Sequence, residues 1–535
     1  MRMRGLTRRR FLAAGTGAAA GLAVPGIWPC RQGATQRPAA SGASELFSAP
    51  AIEASRSGVL QTSLRVAEAP ISIRDSTGEH IARTRCYNGH VPGPTWKLRP
   101  GDELRVYLIN DLKPNTDPGC GESHPKQPHC FNTTNLHTHG LHVSPMAPSD
   151  DSLLRIEPQS GYQYCFRLPE FHPPGTFWYH AHHHGSTALQ VRNGMAGALI
   201  VEEPEGQQIL PDASDLVWII QEAAGDAAEK IYTCAHLEAP CMVNGKYQPA
   251  LHLRPGELQR WRFINATATP GGYAGLSLLD ADGKPQQMTL IALDGYTLRR
   301  MQTTTHYVLP PGGRADFLVQ LHRSVRYRMM KLRFQGNARD QVLAFVEVGG
   351  TPRKMRMPLS LPPPPPFLKP IETDEIHRHR TLRFQMCPDQ ARGDTCREFP
   401  DAKPCHGESP DEPIGGAFLI DGKPYDPARI DHTVRLGDAE EWEVVNETGA
   451  EHPFHIHVNH FQVVKEGVPA SDWVWRDTLS LPAGGSVKIR SRFPTYPGRF
   501  LLHCHILLHS DMGMMQNVEV VGDGVGPCKA ASIIR

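Results

Sequence analysis

The sequence predicts an all-β fold built from three copies of one β-sandwich unit. Its 535 residues exceed the size of one ordinary domain and suggest about three. The 49 glycines and 48 prolines are typical of a chain with many turns and strands and few long helices. A turn followed by a half-buried strand also recurs three times, which favours repetition of a single unit.

The recurring segment can be followed along the chain. Its turn is Asn88-Gly89 in the first copy, Asn244-Gly245 in the second and Asp421-Gly422 in the third. In each copy a second glycine precedes the strand, and an asparagine lies nine residues after that glycine. These pairs are Gly101 and Asn110, Gly256 and Asn265, and Gly437 and Asn446. Apolar and polar residues alternate in between, as in the stretch 104–109, which indicates a strand with one buried face.

Composition also places the domain boundaries. Residues 1–50 are expected to be a targeting signal and flexible lead-in, followed by a first unit at 55–203 and a second at 204–357. Residues 358–369 form a linker, which the run Pro362 to Pro366 should keep stiff and extended. The third unit covers 370–535.

The N-terminus resembles an export signal. Thr7-Arg8-Arg9-Arg10-Phe11-Leu12 is a twin-arginine signature, and the apolar stretch from Phe11 to Val24 is too short for a membrane span. It predicts export by the twin-arginine machinery to a bacterial periplasm or the exterior. Neither a clear cleavage site nor a good lipid-attachment motif surrounds Cys30.

Charge and composition limit the partners. A net charge of +1 gives no electrostatic reason to expect nucleic acid or an anionic membrane surface. With 40% hydrophobic and 21% charged residues the chain can bury large cores, and no integral membrane segment is expected. We expect a monomer that acts on small molecules.

Twelve cysteines suit an oxidising compartment. Cys120 and Cys130 are close enough in sequence to close a small loop, and so are Cys234 and Cys241. Cys387, Cys396 and Cys405 could bind a metal, but without a fourth ligand a disulfide with one odd cysteine is the preferred interpretation.

The segment from His503 to Met514 carries the most chemical information. Side chains alternate along a strand, so His503 and His505 point to one face and Cys504 to the other. His509 and Met514 follow the cysteine by five and ten residues. A Cys, a His and a weak Met ligand, with one further His, form a blue-copper electron-transfer site. A buried cysteine among scattered surface histidines would not produce this pattern.

Three further histidine pairs accompany this segment. Each has the His-x-His spacing that places two imidazoles on one face of a strand. One pair alone would be weak support in a chain with 27 histidines, but four such motifs are a strong signal. The three additional pairs are His137 and His139, His180 and His182, and His455 and His457, the last preceded by His452.

The motifs HTHG, WYHAH, HPFHIH and HCHILLHSDMGM resemble those of three-domain multicopper oxidases of the laccase-like kind, over most of residues 70–520. The resemblance implies three cupredoxin-like Greek-key sandwiches and four copper ions. It implies His452, Cys504, His509 and Met514 as type 1 ligands, His137 and His455 as type 2 ligands, and two type 3 sets, His139, His180 and His505, and His182, His457 and His503. All four histidine motifs lie in the first and third units, so a trinuclear copper cluster should lie between these two units.

The resemblance also implies roles in turnover. Electrons from a reductant would enter at His509, taken as the exposed type 1 ligand, and pass through Cys504 to the trinuclear cluster, where dioxygen becomes water. An acidic residue is expected to deliver protons, and Asp150 and Asp151 are the candidates, although a solvated loop explains them almost as well. Met514 implies a lower type 1 potential than the Leu or Phe of many fungal laccases. His142, His183, His184 and His460 are interpreted as structural, solvated or secondary to the ligands.

The nature of the reductant stays open. Phenols or aromatic amines are favoured, with Fe(II), Mn(II) or Cu(I) oxidation and bilirubin-type oxidation as alternatives. Residues 406–500 contain no methionine, which argues against the methionine-rich insert of cuprous oxidases. A copper-binding or envelope scaffold without catalysis is the alternative from another class.

Overall fold

The computed structural model describes residues 44–75, 78–117, 120, 127–210, 214–222, 230–233, 239–334, 339–387 and 416–528. The predicted export signal and most of the lead-in therefore lie outside the described residues, as do Cys234, Cys396 and Cys405. The all-β prediction is confirmed, because the described residues form 32 strands in six sheets and two short α-helices. Among these residues, none of the helices has the length and apolar character needed to cross a membrane.

The first two sheets use strands from residues 52–201. One sheet has the order β1-β4-β9-β8-β6 and the other β3-β2-β5-β7. The strands are β1 (Ile52–Ala54), β2 (Val59–Asp75), β3 (Gly78–Tyr87), β4 (Thr95–Leu98), β5 (Glu103–Asn110), β6 (His137–His139), β7 (Ser160–Arg167), β8 (Gly175–His180) and β9 (Ala196–Val201).

The next two sheets use strands from residues 214–348. Their orders are β11-β10-β13-β19-β16-β17 and β12-β21-β20-β14-β15, with β18 also pairing with β14. The strands are β10 (Ser214–Glu222), β11 (Cys241–Val243), β12 (Ala250–Leu253), β13 (Leu258–Asn265), β14 (Ala274–Leu279), β15 (Pro285–Gln286), β16 (Met288–Leu293), β17 (Tyr296–Thr304), β18 (Tyr307–Leu309), β19 (Arg314–Gln320), β20 (Arg326–Leu332) and β21 (Gln341–Val348).

The last two sheets use strands from residues 376–521. Their orders are β23-β22-β25-β30-β27-β28 and β24-β32-β31-β26-β29. The strands are β22 (Ile376–Cys387), β23 (Ala417–Ile420), β24 (His432–Arg435), β25 (Ala439–Asn446), β26 (His452–Ile456), β27 (Phe461–Val463), β28 (Trp475–Arg476), β29 (Thr478–Leu481), β30 (Ser486–Arg492), β31 (Gly498–Cys504) and β32 (Met515–Val521). We call these three sets of sheets the first, middle and last blocks.

The recurring sequence segment has the same structure in each block. Its strand is β5, β13 and β25, each ending at the predicted asparagine. Each pairs in parallel with the preceding long strand, namely β2, β10 or β22. The asparagine amides donate to the backbone carbonyls of Ile156, Leu309 and Leu481. Both turn residues adopt positive φ in each copy, which explains the Asn-Gly and Asp-Gly pairs.

Each block has an apolar core to which both of its sheets contribute, and residues of neighbouring blocks also pack into the cores of the first and last blocks. Leu104 and Phe177 belong to the core of the first block, Trp261 and Leu276 to that of the middle block, and Trp442 and Phe500 to that of the last. Burial of these side chains is the main favourable contribution to folding. The sandwiches thereby give rigid frames to the strands that carry the histidine motifs.

Two short helices contact each other where the first and last blocks meet. They are α1 (Thr187–Asn193) and α2 (Leu507–Asp511), the latter inside the copper motif. The Asp511 carboxylate, 1% exposed, accepts hydrogen bonds from the backbone N–H groups of Thr187 and Ala188 at the start of α1. A carboxylate at a helix N-terminus satisfies donors that lack an intrahelical partner.

The cysteine predictions had mixed outcomes. The Cys120–Cys130 disulfide is confirmed, and a second disulfide, not predicted, joins Cys165 to Cys528 across 363 residues. The predicted Cys234–Cys241 bridge is wrong, because Cys241 is a free, buried thiol in β11. Two cysteines that are close in sequence can close a short loop, but closeness alone does not make their side chains point towards each other. Cys387 is disulfide-bonded, as preferred over a metal site.

Candidate metal centres

The two histidine motifs of the first block meet on neighbouring strands. Strands β6 and β8 run antiparallel, with His137 opposite His180 and His139 opposite Trp178. Side chains of alternate residues share a face, so His137, His139 and His180 converge, and one ligand atom of each lies within 4.8 Å of the others. His182 follows β8 and is also buried.

The last block presents its motifs in the same manner. Strand β26 pairs antiparallel with β31, which places His455 opposite His503 and Phe454 opposite Cys504. His457 follows β26, and His505 follows β31. The alternation that the sequence predicts on β31 is therefore present, with the imidazoles on one face and the thiol on the other.

Histidines from the two blocks form one closed cluster. The Nε2 atom of His503 lies 3.1 Å from Nε2 of His182 and 3.2 Å from Nε2 of His457. His137 stacks on His457 and His139 on His455, each pair with ring centroids 3.8 Å apart. The cluster, called the eight-histidine cluster below, contains His137, His139, His180, His182, His455, His457, His503 and His505, all at most 2% exposed.

The eight-histidine cluster fits a set of bound metal ions. His505 lacks a hydrogen-bond partner on both ring nitrogens. Five further members lack a partner on one ring nitrogen, namely His137, His139, His180, His182 and His455. A buried polar atom without a partner is costly in a protein interior. Close pairs of imidazole nitrogens in a buried site are equally unfavourable unless a proton or cation lies between them. Metal coordination removes both problems.

The opposite ring nitrogens of several cluster members are held by protein groups. Nδ1 of His137 donates to Asp150 at 2.9 Å, and Nδ1 of His455 donates to the backbone oxygen of Asp477 at 2.8 Å. Nδ1 of His503 donates to the Cys504 carbonyl at 2.9 Å. Such bonds select one tautomer and aim the other nitrogen at the metal. Burial also lowers the pKa of His137 and His503, keeping these two imidazoles neutral, as metal ligands must be.

A second buried cluster surrounds Cys504. Its Sγ atom lies 3.4 Å from Nδ1 of His452 and 3.7 Å from Nδ1 of His509, and the two Nδ1 atoms are 3.2 Å apart. Burial raises the pKa of the Cys504 thiol and so favours its neutral form. A cation at this point would stabilise the thiolate. A Cys and two His in this arrangement match the blue-copper ligand set.

Met514 is placed next to this cluster by two backbone hydrogen bonds. Its carbonyl accepts from the Cys504 N–H at 3.1 Å, and its N–H donates to the His509 carbonyl at 2.9 Å. The side chain is fully buried in the same apolar core as Cys504. The structure therefore brings together all four residues that the sequence assigned to the type 1 site.

His509 is less exposed than the resemblance implied. Only 5% of its surface reaches solvent, and the ring of Phe418 stacks on it with centroids 4.6 Å apart. Strand β23, which carries Phe418, pairs with β22 at the edge of the neighbouring sheet and covers the imidazole. No local sequence pattern indicates this cover, because Phe418 lies 91 residues before His509.

The two candidate acids differ in position. Asp150 is 2% exposed and contacts His137, and it also accepts a hydrogen bond from the Thr138 N–H at 3.1 Å. Burial raises its pKa well above the ordinary carboxyl value. Asp151 is only partly buried and accepts from the Leu153 N–H. Burial raises its pKa too, and the charge of Arg499 opposes that rise.

Sequence reasoning missed one acid beside the eight-histidine cluster. Asp477, 2% exposed, lies 3.2 Å from Nε2 of His139, and the adjacent Thr478 hydroxyl lies 3.1 Å from the same atom. Arg314 of the middle block binds both carboxylate oxygens, Oδ1 at 2.7 Å. Burial alone would raise the pKa of Asp477, but the Arg314 guanidinium lowers it well below the usual range.

The glycine of the HTHG motif makes room for this ion pair. Gly140 has φ of +89°, and a Cβ added there would lie 2.5 Å from Nη2 of Arg314 and 2.6 Å from Oδ2 of Asp477. Gly312, two residues before Arg314 in the chain, lies against the His505 ring in the same way. The middle block, which carries no histidine motif, thus supports the cluster through Arg314 and Gly312.

The additional histidines are more buried than a solvated role requires. His142 is 1% exposed and bridges the Val458 carbonyl and the Thr495 hydroxyl at 2.9 and 3.0 Å, which makes it structural. His183 and His460 are 5% and 7% exposed. Burial removes the solvated alternative for His183 and the surface alternative for His142 and His460, which leaves the structural or secondary role for these residues.

The fold and the two clusters define a copper-type oxidoreductase made of β-sandwiches. Two sequence models described as multicopper oxidase match residues 129–206 and 398–523. A multicopper oxidase of Staphylococcus aureus is 26% identical over 455 residues, covering 82% of this chain and 85% of its own. A laccase of Bacillus subtilis is 25% identical, covering 81% of this chain and 89% of its own.

Solved structures agree with the fold. A multicopper oxidase from Campylobacter jejuni, described as a metallo-oxidase, matches with a TM-score of 0.68 and 23% identity, covering 89% of this chain and 95% of its own. An iron transport multicopper oxidase of Saccharomyces cerevisiae is 23% identical, covering 85% of this chain and 81% of its own. The two matched models and these relatives support a multicopper oxidase, an oxidoreductase that uses oxygen. The cupredoxin-like prediction is confirmed.

Proposed function

We propose that this protein couples one-electron oxidation of phenolic or aromatic-amine substrates to four-electron reduction of dioxygen to water. Four coppers would be held by the residues that the motifs assign. His452, Cys504, His509 and Met514 would hold type 1, His137 and His455 type 2, and His139, His180, His505, His182, His457 and His503 the type 3 pair. The observation that carries the proposal is Cys504, whose neighbours His503 and His505 connect the two clusters through one strand end.

Copper would supply one-electron redox chemistry at the Cys504 cluster and oxygen reduction at the eight-histidine cluster. The chain keeps these sites apart, since the thiol and the imidazoles lie on opposite faces of β31. Four one-electron oxidations and four protons balance the conversion of one dioxygen into two waters. Asp150 holds the Nδ1 proton of His137 and, with Asp151, stays the candidate for proton delivery.

The aromatic donor class is supported by the surroundings of His509. The Phe418 ring stacks on this imidazole, which shows that the space over His509 accommodates an aromatic ring. Relatives named as laccases also favour this class. Relatives named for iron transport keep metal-ion oxidation as the second candidate, which the same experiment separates.

The test is oxygen uptake by the copper-loaded protein with a panel of donors. The panel contains a methoxyphenol, an aromatic diamine, bilirubin, Fe(II), Mn(II) and Cu(I), and the Cys504→Ser variant serves as control. We expect uptake with the phenol and the amine, four donors oxidised per dioxygen, and no peroxide. Faster turnover of a metal ion than of every organic donor would move the assignment to metal oxidation. Copper binding without any uptake would favour a scaffold.

We also propose that the protein is exported by the twin-arginine route. The support is the signature around Arg8 and Arg9 and the Cys120–Cys130 and Cys165–Cys528 disulfides, which suit an oxidising compartment. Replacing both arginines by lysine should retain the protein in the cytoplasm of a bacterial host. Unchanged export of that variant would contradict the proposal.

A further inference from the structure

A cavity of about 430 Å³ lies apart from both histidine clusters. Its walls come from the edge strand β17, the proline-rich segment 364–370 and the segment 462–475. The volume falls in the range of small-molecule sites. None of the residues assigned to copper lines this cavity.

Hydrogen bonds between the walls hold the cavity open. The Arg299 guanidinium donates to the Ser471 carbonyl at 3.1 Å, and the Trp475 indole donates to the Leu368 carbonyl at 3.0 Å. The Gln462 amide donates to the Ala470 carbonyl at 3.1 Å. A ligand would therefore enter a preformed space and would not need to order its walls first.

The charges around the cavity favour an anion. Arg300, Lys369 and Lys465 line it and are exposed. Lys369 also interacts electrostatically with Glu375, which lies outside the lining. Asp472 is the acidic residue of the lining and already faces Arg299 at 3.5 Å. Three cations in addition to the Arg299–Asp472 pair are a marked local excess in a chain whose net charge is +1.

The remaining lining favours an aromatic group. Trp473 contributes a partly exposed ring, and Tyr296 and Trp475 are buried at 2% and 8% exposure. The Arg490 guanidinium lies 4.9 Å from the centroid of the Trp473 ring, and the indole N–H of Trp473 is occupied by the Val468 carbonyl at 2.9 Å. The part of the Trp473 ring that lines the cavity therefore offers apolar and π surface. We infer that this cavity binds an aromatic ligand that carries a carboxylate or sulfonate. The inference does not depend on the proposed function, because it concerns binding at residues outside the copper clusters.

The experiment is calorimetric titration of the copper-loaded protein with naphthalene-2-sulfonate, which lacks the hydroxyl or amine of a laccase donor. We expect saturable binding with one ligand per chain. The Arg300→Gln/Lys369→Gln double variant should bind about fivefold to tenfold more weakly, the size expected for two partly exposed charge interactions. Lys488→Gln, an exposed cation elsewhere in the last block, should bind like the wild type.

Two further ligands separate the parts of the inference. Naphthalene-2-sulfonamide, of similar shape and uncharged, should bind at least about fivefold more weakly, and methanesulfonate should not saturate. Trp473→Leu should weaken the sulfonate while leaving oxygen uptake with phenols unchanged. Unaltered affinity in the double variant, equal affinity for the sulfonamide, or no saturable binding would overturn the inference. Oxygen uptake tests the proposed function separately, so the two failures are distinguishable.

Discussion

The buried ion pair between Arg314 and Asp477 makes the sharpest prediction. Arg314 is fully buried and Asp477 is 2% exposed, and the carboxylate also contacts His139. Replacing Asp477 by Asn removes the charge that balances Arg314 while keeping the size of the side chain. Breaking one partner of a buried pair typically costs about 3–5 kcal/mol.

The structure places the expected loss near the lower end of that range. Arg314 would keep the Asp294 carboxylate at 3.7 Å and the carbonyl oxygens of Gly312 and Asp294 at 3.0 and 2.9 Å. We therefore expect Asp477→Asn to lower the free energy of unfolding by about 3 kcal/mol. Copper content at the eight-histidine cluster should also fall, while the blue absorption of the Cys504 cluster persists.

The assay is urea unfolding of the copper-free protein, so that lost metal binding does not add to the result. A double-mutant cycle with Arg314→Met should give a coupling energy of about 2 kcal/mol or more. Asp282→Asn, at an exposed pair with Arg323, is the matched control and should change little. A coupling below about 0.5 kcal/mol with wild-type copper content would refute the positioning role.

The pH dependence of this pair has a definite sign. The folded pKa of Asp477 lies below its ordinary value. Its contribution to stability is therefore complete above the ordinary carboxyl pKa of about 4 and is lost as the pH falls through the lowered folded value. Asp477→Asn should therefore reduce the difference in the free energy of unfolding between pH 7 and strongly acidic conditions by about the same 3 kcal/mol that it costs at pH 7.

Three further outcomes test the sites. Cys504→Ser should abolish the blue absorption and turnover while type 2 and type 3 copper remain, and retention of the blue band would remove Cys504 from the site. Asp150→Asn should lower type 2 copper occupancy and shift the acid limb of the pH–rate profile, whereas Asp151→Asn should alter only the profile; if neither variant changes the profile, neither acid delivers protons. Phe418→Ala should raise kcat/KM for bulky phenols by uncovering His509 and lower stability by about 3 kcal/mol, and unchanged kinetics would show that Phe418 does not control access.

Local sequence patterns predicted the parts of the molecule that depend on local geometry. His-x-His spacing fixes which imidazoles share a strand face, and the Asn-Gly and Asp-Gly turns mark the start of each repeated segment. Asp477 and Arg314 had no such signal, because their contact joins residues 163 positions apart and His139 lies 338 positions from Asp477. The cover over His509 and the Cys165–Cys528 disulfide were also not predicted, because the cover depends on how two sheets of the last block pack and the disulfide on how the first and last blocks pack.

The Cys165–Cys528 disulfide joins β7 of the first block to the end of the last block. These are the two blocks that each supply four imidazoles to the eight-histidine cluster. The polypeptide between Cys165 and Cys528 already joins the two half-sites, and the disulfide closes this path of 363 residues into a loop. If the interface opened locally, the oxidised disulfide would keep the half-sites at a higher effective concentration than the polypeptide alone.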